Sequence, residues 1–309
     1  MIVTRLVGGL GNQMFQYAFG LQLAKQTSQS LYVDLKAFET YRLHSIAINH
    51  LNISACELPN VLQKRVPGRY RNQSRAREAL SSVVGRWASS ASGPLPLRRE
   101  KPFGFRAEYL SEAEDLYLDG YWQSEQFFVG VQDEIRKEFS LKATLSDKSA
   151  QIADRMRDRP SVAVHVRRGD YVNDPETARI YRSLDASYYR SCLNDLQDRV
   201  ENLQVYLFSN DIPWCMQELD VGLNFLPVTH NDAPTAYEDM YLISQCRHAI
   251  IANSSFSWWG AYLGQPDTRR RVYYPSPWFN PGTLEGSSIG AYSWISETDI
   301  QKLGVSMVA

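Results

Sequence analysis

The chain has 309 residues, of which 44% are hydrophobic and 22% are charged, and its formal net charge at pH 7 is -1. This length and apolar content allow two domains that each bury a core, and they exclude a chain that is disordered throughout. A net charge so close to zero argues against a general nucleic-acid-binding protein, which normally has an excess of basic residues.

The cysteines and the hydropathy pattern indicate in which cellular compartment the protein is expected. Cys56, Cys192, Cys215 and Cys246 are scattered without a Cys-x-x-Cys pair, so they indicate neither a zinc knuckle nor a dense disulfide framework. No stretch of ~18 apolar residues occurs, and the sequence begins with a strand-like run rather than a signal peptide. We therefore expect a cytoplasmic protein with at most peripheral contact with the inner face of the membrane.

The first predicted unit is a strand over residues 2–7, a glycine turn, and a helix that starts at Asn12. A second strand follows over residues 31–34 and ends in an acidic residue. This order is also that of the dinucleotide-binding fold of oxidoreductases. Met14 replaces the third glycine of that motif, and its bulk opposes the close helix–strand approach, so a nicotinamide or flavin enzyme is disfavoured.

Residues 64–106 form a basic insertion in which lysines and arginines are opposed only by Glu78 and Glu100. A solvated surface segment is the usual meaning of such a charge run. The alternative is a surface that meets anionic phospholipid or a diphosphate-linked acceptor, where each basic residue contributes ~1 kcal/mol. Beyond it, residues 109–122 are rich in aromatic side chains, which belong either to the core or to a sugar-stacking surface.

From about residue 146, strands and helices alternate in the pattern of a doubly wound parallel sheet. Strands are predicted over residues 162–166, 205–208, 225–228, 248–252 and 272–274, with the last of them closing the sheet and Pro227 favouring an edge position. The carboxyl ends of parallel strands meet at one edge of a sheet, where α/β proteins bind their ligands. The predicted crevice is lined by His165, Arg167, Ser209, Asn210, Asn253, Ser254 and Ser255.

The buried strand that ends at Val166 is followed by Arg167, Arg168 and Gly169. Two adjacent guanidinium groups beside a turn glycine suit a phosphate or diphosphate, because each can donate two parallel hydrogen bonds. The alternative is that one of them pairs with Asp170 and the other with water. Ser254 and Ser255 at a helix amino terminus would offer N–H groups and hydroxyls to the same phosphate, with simple helix capping as the alternative.

Four stretches, in this order, resemble the bacterial α1,2-fucosyltransferases that use GDP-fucose. They are GGLGNQMFQ at 8–16, HVRRGDY at 165–171, FSND at 208–211 and NSSFSWWGAYL at 253–263. The resemblance implies an α/β protein of the GT-B type, in which two Rossmann-like doubly wound domains face each other across a cleft. Residues 1–155 would form the acceptor side, including the basic insertion, and residues 156–309 the side that binds GDP-fucose.

The resemblance also implies roles for individual residues. Arg167 would bind the diphosphate, with Arg168 secondary, and Asn12 would lie near the transferred sugar, although a plain helix N-cap is the alternative for Asn12. Asp239 would accept from guanine N1–H and N2–H, unless it is an exposed helical carboxylate. The predicted catalytic residues are Arg167, Asp170 and Asn12. The predicted donor-binding residues are Gly9, Gly11, Asn12, His165, Arg167, Arg168, Ser209, Asn210, Asp239, Asn253, Ser254, Ser255 and Phe256.

No cofactor and no metal are expected, because the sequence has neither a His-x-x-x-His spacing nor an Asp-x-Asp motif. Arg167 would then stabilise the negative charge that grows on the leaving GDP. Asp170 and Glu176 are candidates for the base that takes the acceptor proton. The expected reaction is the inverting transfer of fucose from GDP-β-L-fucose to the 2-hydroxyl of a galactose-terminated glycan, including a lipid-linked one. A related GDP-sugar transferase with another acceptor and a non-catalytic nucleotide-sugar-binding module remain alternatives.

Overall fold

The computed structural model describes residues 1–70, 93–111, 114–169 and 174–306. Its first sheet is parallel throughout and has the strand order β3-β2-β1-β5-β4. The strands are β1 (Ile2–Arg5), β2 (Leu31–Asp34), β3 (Cys56–Glu57), β4 (Leu97–Arg99) and β5 (Leu116–Asp119).

Helix α1 (Leu10–Gln26) follows β1 and is buried on almost all sides, with Met14, Phe15 and Phe19 at most 1% exposed. Its buried residues face both sides, because α1 is packed between the first sheet and the second half of the chain. Its N-cap is Gly9, and Asn12 lies within the first turn. The predicted helix start at Asn12 is therefore two residues late, and the N-cap alternative for Asn12 is wrong.

The second sheet is also parallel and has the order β11-β10-β9-β6-β7-β8. Pro227 lies in the edge strand β8, as predicted. The prediction that residues 272–274 close the sheet is wrong, because β11 is added beyond them; it has only two residues and no apolar run that could indicate a strand. The strands are β6 (Ser161–Val166), β7 (Gln204–Ser209), β8 (Phe225–Pro227), β9 (His248–Ile250), β10 (Val272–Tyr274) and β11 (Ile295–Ser296).

The remaining α-helices of the described residues lie after the first sheet along the chain. They are α2 (Gln132–Glu138), α3 (Asp147–Asp158), α4 (Pro175–Ile180), α5 (Ala186–Gln197), α6 (Ile212–Glu218), α7 (Ala236–Gln245), α8 (Ser255–Tyr262) and α9 (Glu297–Ser306). The predicted α/β class with two parallel sheets is confirmed. The predicted boundary at 155/156 falls inside α3 and stays a prediction. Among the described residues, no helix combines the length and the apolar character needed to cross a bilayer.

The two halves of the chain meet where α8 packs on α1. The rings of Trp258 and Trp259 lie 4.6 and 4.9 Å from that of Phe15, and Trp259 Nε1 donates to the Gly11 carbonyl at 3.0 Å. Aromatic pairs of this kind contribute about 0.5–1.5 kcal/mol beyond the burial of their area. A Cβ atom on Gly11 would lie 2.4 Å from the backbone of Ser255, so glycine is required for this approach. The contact holds the amino-terminal ends of α1 and α8 against each other.

Candidate active site

The site is built at the carboxyl edge of the second sheet, around the end of its central strand β6. Strand β6 lies between β9 and β7, so the Arg167 loop has the residues after β7 on one side and the start of α8 on the other. The predicted crevice at this edge is thus formed by neighbouring strands. Asp170, the predicted base candidate, lies outside the described residues.

Arg168 is held by the loop that follows β7. Its backbone N–H donates to Asn210 Oδ1 at 3.0 Å, its Nε donates to Asp211 Oδ2 at 3.3 Å, and its guanidinium lies 4.0 Å from the centre of the Trp214 ring. A Cβ atom on Gly169 would lie 2.5 Å from Asn210 Nδ2, so the glycine permits this approach. The partner of Arg168 in the described structure is Asp211, and these contacts fix the loop that presents Arg167.

Ser209 and Asn253 also order loops at this edge. Ser209 Oγ accepts from the Asp211 N–H at 2.9 Å. Asn253 Nδ2 donates to the carbonyls of Arg182 and Trp278 at 2.8 and 3.0 Å. The hydrogen bonds named here join each residue to other parts of the protein. Direct contact of Ser209 or Asn253 with the sugar nucleotide stays a prediction.

The start of α8 differs from a simple serine cap. Ser254 is the N-cap residue, but its side chain makes no capping hydrogen bond, and the hydroxyl of Ser255 donates to Asn12 Oδ1 at 2.8 Å. The alternative of side-chain capping by these serines is therefore wrong. The orphan N–H groups of the first turn of α8 remain suited to an anion, as at any helix amino terminus.

His165 is a buried neutral group beside Arg167. It is 7% exposed, its ring lies 5.7 Å from that of Phe256, and its Nδ1 has no hydrogen-bond partner among the described residues. Burial, reinforced by the charge of Arg167, lowers the pKa of His165 to about 3. The imidazole is therefore uncharged at neutral pH and can act only through hydrogen bonds.

Asp239 lies in the first turn of α7, the helix that follows β8 along the chain. It is half-buried, and Asn231 Nδ2 donates to its Oδ1 at 2.6 Å. Burial raises the pKa of Asp239 to about 6, with a smaller contribution from the charge of Glu238. The alternative of a water-exposed helical carboxylate does not match this environment. Asn231 was missed from the sequence, where it stands in an ordinary polar loop.

The opposite wall of the cleft comes from loops at the carboxyl edge of the first sheet. Gly9 lies beside the imidazole of His44, which is 3.5 Å from the position of a Cβ atom on Gly9. Asn12 Oδ1 accepts from Gln123 Nε2 and from Ser255 Oγ, both at 2.8 Å. Asn12 therefore joins this wall to α8, and Gln123 is a member of the site that sequence patterns did not indicate.

Aromatic side chains line the same wall. The Tyr41 ring lies 6.1 Å from that of His44, and burial followed by the proximity of Tyr121 raises the pKa of Tyr41. Tyr121 follows β5 and is 43% exposed, whereas its neighbour Trp122 is fully buried. The aromatic run at 109–122 thus contributes both to the core and to a surface that could stack on a sugar.

Among the residues that the structure describes, no group of three or more His, Cys, Asp or Glu side chains could hold a metal ion. Metal independence nevertheless remains a prediction, because substrate oxygens can complete a metal site.

The family model named Glycosyl transferase family 11 matches residues 104–276. The chain belongs to glycosyl transferase family 11. This confirms the family expected from the four motifs. The family 11 chain is 30% identical over 307 residues to an Escherichia coli alpha-1,2-colitosyltransferase, across 96% of this chain and 98% of that protein. It is 27% identical over 269 residues to human galactoside alpha-(1,2)-fucosyltransferase 1, across 84% of this chain and 65% of that protein.

A solved GDP complex of a mutant Arabidopsis thaliana FUT1 matches the family 11 chain with a TM-score of 0.51 at 12% identity. The match covers 94% of this chain and 74% of that one. At this identity the likeness shows the fold alone, and that fold is GT-B, as expected.

Proposed function

We propose that this family 11 glycosyltransferase moves L-fucose from GDP-β-L-fucose to the 2-hydroxyl of a galactose-terminated glycan, with inversion at the anomeric carbon. The observation that carries the proposal is the meeting of two walls at Asn12. The Arg167 loop and the amino terminus of α8 approach from the second sheet, and the loop after β1 approaches from the first. A sugar nucleotide bound along the wall from the second sheet would present its sugar to the wall from the first sheet.

The chemical step needs charge stabilisation on the leaving group. The acceptor oxygen forms a bond to the anomeric carbon from one face while the bond to the phosphate oxygen breaks on the other, so a β-linked donor gives an α-linked product. Negative charge grows on the diphosphate as that bond lengthens, and the Arg167 guanidinium with the N–H groups of α8 would bind it more tightly in the transition state than before. Neutral His165 would add a hydrogen bond without adding charge.

The guanine end of the donor would lie at Asp239. An ionised carboxylate accepts from guanine N1–H and N2–H together, and the Asn231 amide holds one of its oxygens in place. The match of residue type and position supports guanine over uracil, which offers only one N–H group on that edge.

The acceptor would lie on the first-sheet wall, where Tyr41 and Tyr121 offer ring faces to a galactose. The basic insertion is described only in part. Three of its described arginines are engaged with the protein: Arg65 pairs with Asp115, Arg99 pairs with Asp119, and Arg98 donates to the Tyr109 carbonyl. Contact of the insertion with a membrane or with a lipid-linked acceptor stays a proposal, as does a base role for Asp170 or for Glu176, which is exposed on α4.

The test is acceptor-dependent release of GDP from GDP-fucose, measured in EDTA across a panel of galactosides. We expect release that falls by ~10²-fold or more in Arg167→Ala, as for other main electrostatic stabilisers. Arg157→Ala is the matched control, because Arg157 binds Gln245 at the far end of α3. Tight GDP-fucose binding without release on any acceptor would favour the nucleotide-sugar-binding module, and undiminished release by Arg167→Ala would contradict the mechanism.

A second donor should be tested in the same assay, because one relative at 30% identity carries the name colitosyltransferase. Colitose is fucose without its 3-hydroxyl group, so both sugars would fit the same cleft. We expect fucose to be preferred in kcat/KM; a preference for the colitose donor would replace the fucose assignment while leaving the mechanism intact.

A further inference from the structure

The turn after β5 contains a strained residue. Trp122 is fully buried and has a φ of 56°, in the left-handed region that bulky side chains avoid. Such a conformation costs about 1–3 kcal/mol and persists only where the surroundings enforce it, most often near functional sites. The strain therefore calls for a reason beyond core packing.

A carboxylate enforces this turn. Glu100, just after β4, accepts backbone N–H groups of Gly104, Tyr121 and Trp122 at 3.2, 2.6 and 2.9 Å. A Cβ atom on Gly120 would lie 2.5 Å from Glu100 Cβ, so the turn closes tightly on the carboxylate. The next side chain, Gln123, is thereby sent into the space between the two sheets, where it is 5% exposed.

Gln123 helps to fix the orientation of the Asn12 carboxamide. Its Nε2 and the Ser255 hydroxyl both donate to Asn12 Oδ1, so this oxygen faces Gln123 and α8. Asn12 Nδ2 then lies on the other side, 2.7 Å from the position of a Cβ atom on Gly8. Gly8 has a φ of 88°, which favours glycine, and its lack of a side chain leaves the Asn12 amino group uncovered in that direction.

We propose that Gln123 is a positioning residue that keeps the Asn12 carboxamide turned so that its amino group, and not its oxygen, faces the bound sugar. The inference rests on the proposed function, because it assumes a sugar in the cleft beside the loop after β1. A donor N–H at this point can hold a hydroxyl oxygen of the sugar, whereas a flipped amide would present its carbonyl oxygen there instead. Neither the diphosphate site at Arg167 nor the guanine site at Asp239 depends on Gln123.

The variant Gln123→Glu tests this with almost no change in shape. Its carboxylate would repel Asn12 Oδ1 and favour the flipped amide, so we expect kcat to fall by about tenfold, the effect of losing one hydrogen bond to the reacting sugar. The dissociation constant of GDP should stay unchanged, whereas the new charge, at a position that is 5% exposed, should lower the melting temperature. Gln22→Glu is the matched control. Gln22 lies on α1 about 15 Å further along the helix than Asn12, and its side chain accepts the Gly130 N–H.

A pH series separates positioning from a structural defect. Protonation lets the introduced carboxyl donate to Asn12 Oδ1 again, so the activity of Gln123→Glu relative to the native enzyme should rise as the pH falls. Asn12 and Ser255 share its hydrogen-bonded cluster and do not titrate in this range, and Glu100 binds the backbone of the preceding turn. Glu100 is present in both proteins, so its titration cancels in the ratio. Gln123→Met, which adds no charge, should lose activity without this recovery.

Failure of the proposed function and failure of the Gln123 inference give different results in these experiments. Native protein that transfers no sugar would defeat the proposed function itself. Native transfer with Gln123→Glu as active as Gln22→Glu would overturn the positioning role alone. A parallel loss of GDP binding, melting temperature and activity, with no recovery at low pH, would assign Gln123 a structural role and would also overturn the inference.

Discussion

The two walls of the cleft differ in chemistry and in how they are built. The second-sheet wall consists of charged and polar groups that directly follow three adjacent parallel strands, with Arg167 between the Asn210 loop and α8. The first-sheet wall consists of aromatic rings and amides drawn from separate loops, among them Tyr41, Tyr121 and Gln123. The difference matches two tasks, since a diphosphate needs fixed charge at one point, whereas an acceptor glycan needs a broad surface.

The largest expected effect comes from separating the walls. In Gly11→Ala, the new methyl group would lie 2.4 Å from the Ser255 backbone and would force α1 and α8 apart. We expect a loss of about 1–3 kcal/mol in the free energy of unfolding, as for other overpacked interiors, together with a loss of transfer that exceeds this stability effect. Thermal unfolding and GDP release measure the two.

The control for the glycine prediction is Gly93→Ala, where no atom of the described residues, apart from the chain neighbours, lies within 4 Å of the added Cβ. If the Gly11→Ala protein kept native stability and native turnover, contact between the walls at this point would be dispensable.

The next effect separates guanine binding from the rest of the donor site. Asp239 must be ionised to accept from guanine, and its pKa is about 6 in the free protein. The dissociation constant of GDP-fucose, whose diphosphate has no group that titrates in this range, should therefore be constant above that pH and rise as the pH falls below it, approaching tenfold per pH unit, because binding then includes the loss of a proton. Titration calorimetry over a pH series measures this.

Substitution of Asp239 tests the same assignment. Asp239→Asn should weaken GDP-fucose by ~10- to 100-fold at neutral pH, the range for hydrogen bonds to a charged group, and should abolish the pH dependence. Asp220→Asn, on another loop, where the carboxylate accepts the Gly222 N–H, is the control. A pH-dependent affinity for GDP-fucose that survives in Asp239→Asn would move the guanine site elsewhere.

The smallest effect concerns the acceptor alone. Tyr121→Ala removes one exposed ring from the first-sheet wall, and stacking of an aromatic ring contributes about 0.5–1.5 kcal/mol. We expect the acceptor KM to rise accordingly, while the dissociation constant of GDP does not change. Tyr292→Ala, which removes a fully exposed ring, should change neither quantity; equal effects of the two substitutions would contradict an acceptor role for Tyr121.

These walls also differ in how far the sequence predicts them. Arg167, Asn210 and Ser255 each stand just after a strong strand or at a helix start, and His165 lies at the end of β6. Parallel pairing brings such positions together without further information. Gln123 and Asn231 reach the cleft only through the strained turn at Trp122 and the loop after β8, which are products of tertiary packing. Local patterns contain no signal for contacts of that kind.

The helix α1 shows the same limit within one element. Its existence and its approximate position follow from the spacing of its apolar residues, but its start at Leu10 and the role of Gly11 do not. The glycine motif was consistent with close approach to a ligand, whereas Gly11 is needed because the Ser255 backbone of α8 packs against it. Which partner approaches a glycine depends on the second sheet, about 240 residues further along the chain, and not on the motif itself.

The most direct test of the central claim is the structure of the product. GDP-β-L-fucose and a β-galactoside should be incubated with the native protein in EDTA, and the product examined by nuclear magnetic resonance for its anomeric configuration and linkage. The account predicts fucose in α-linkage to the galactose 2-hydroxyl, with one GDP released per bond formed. A β-linked product, or hydrolysis of the donor without transfer to any glycan, would contradict it.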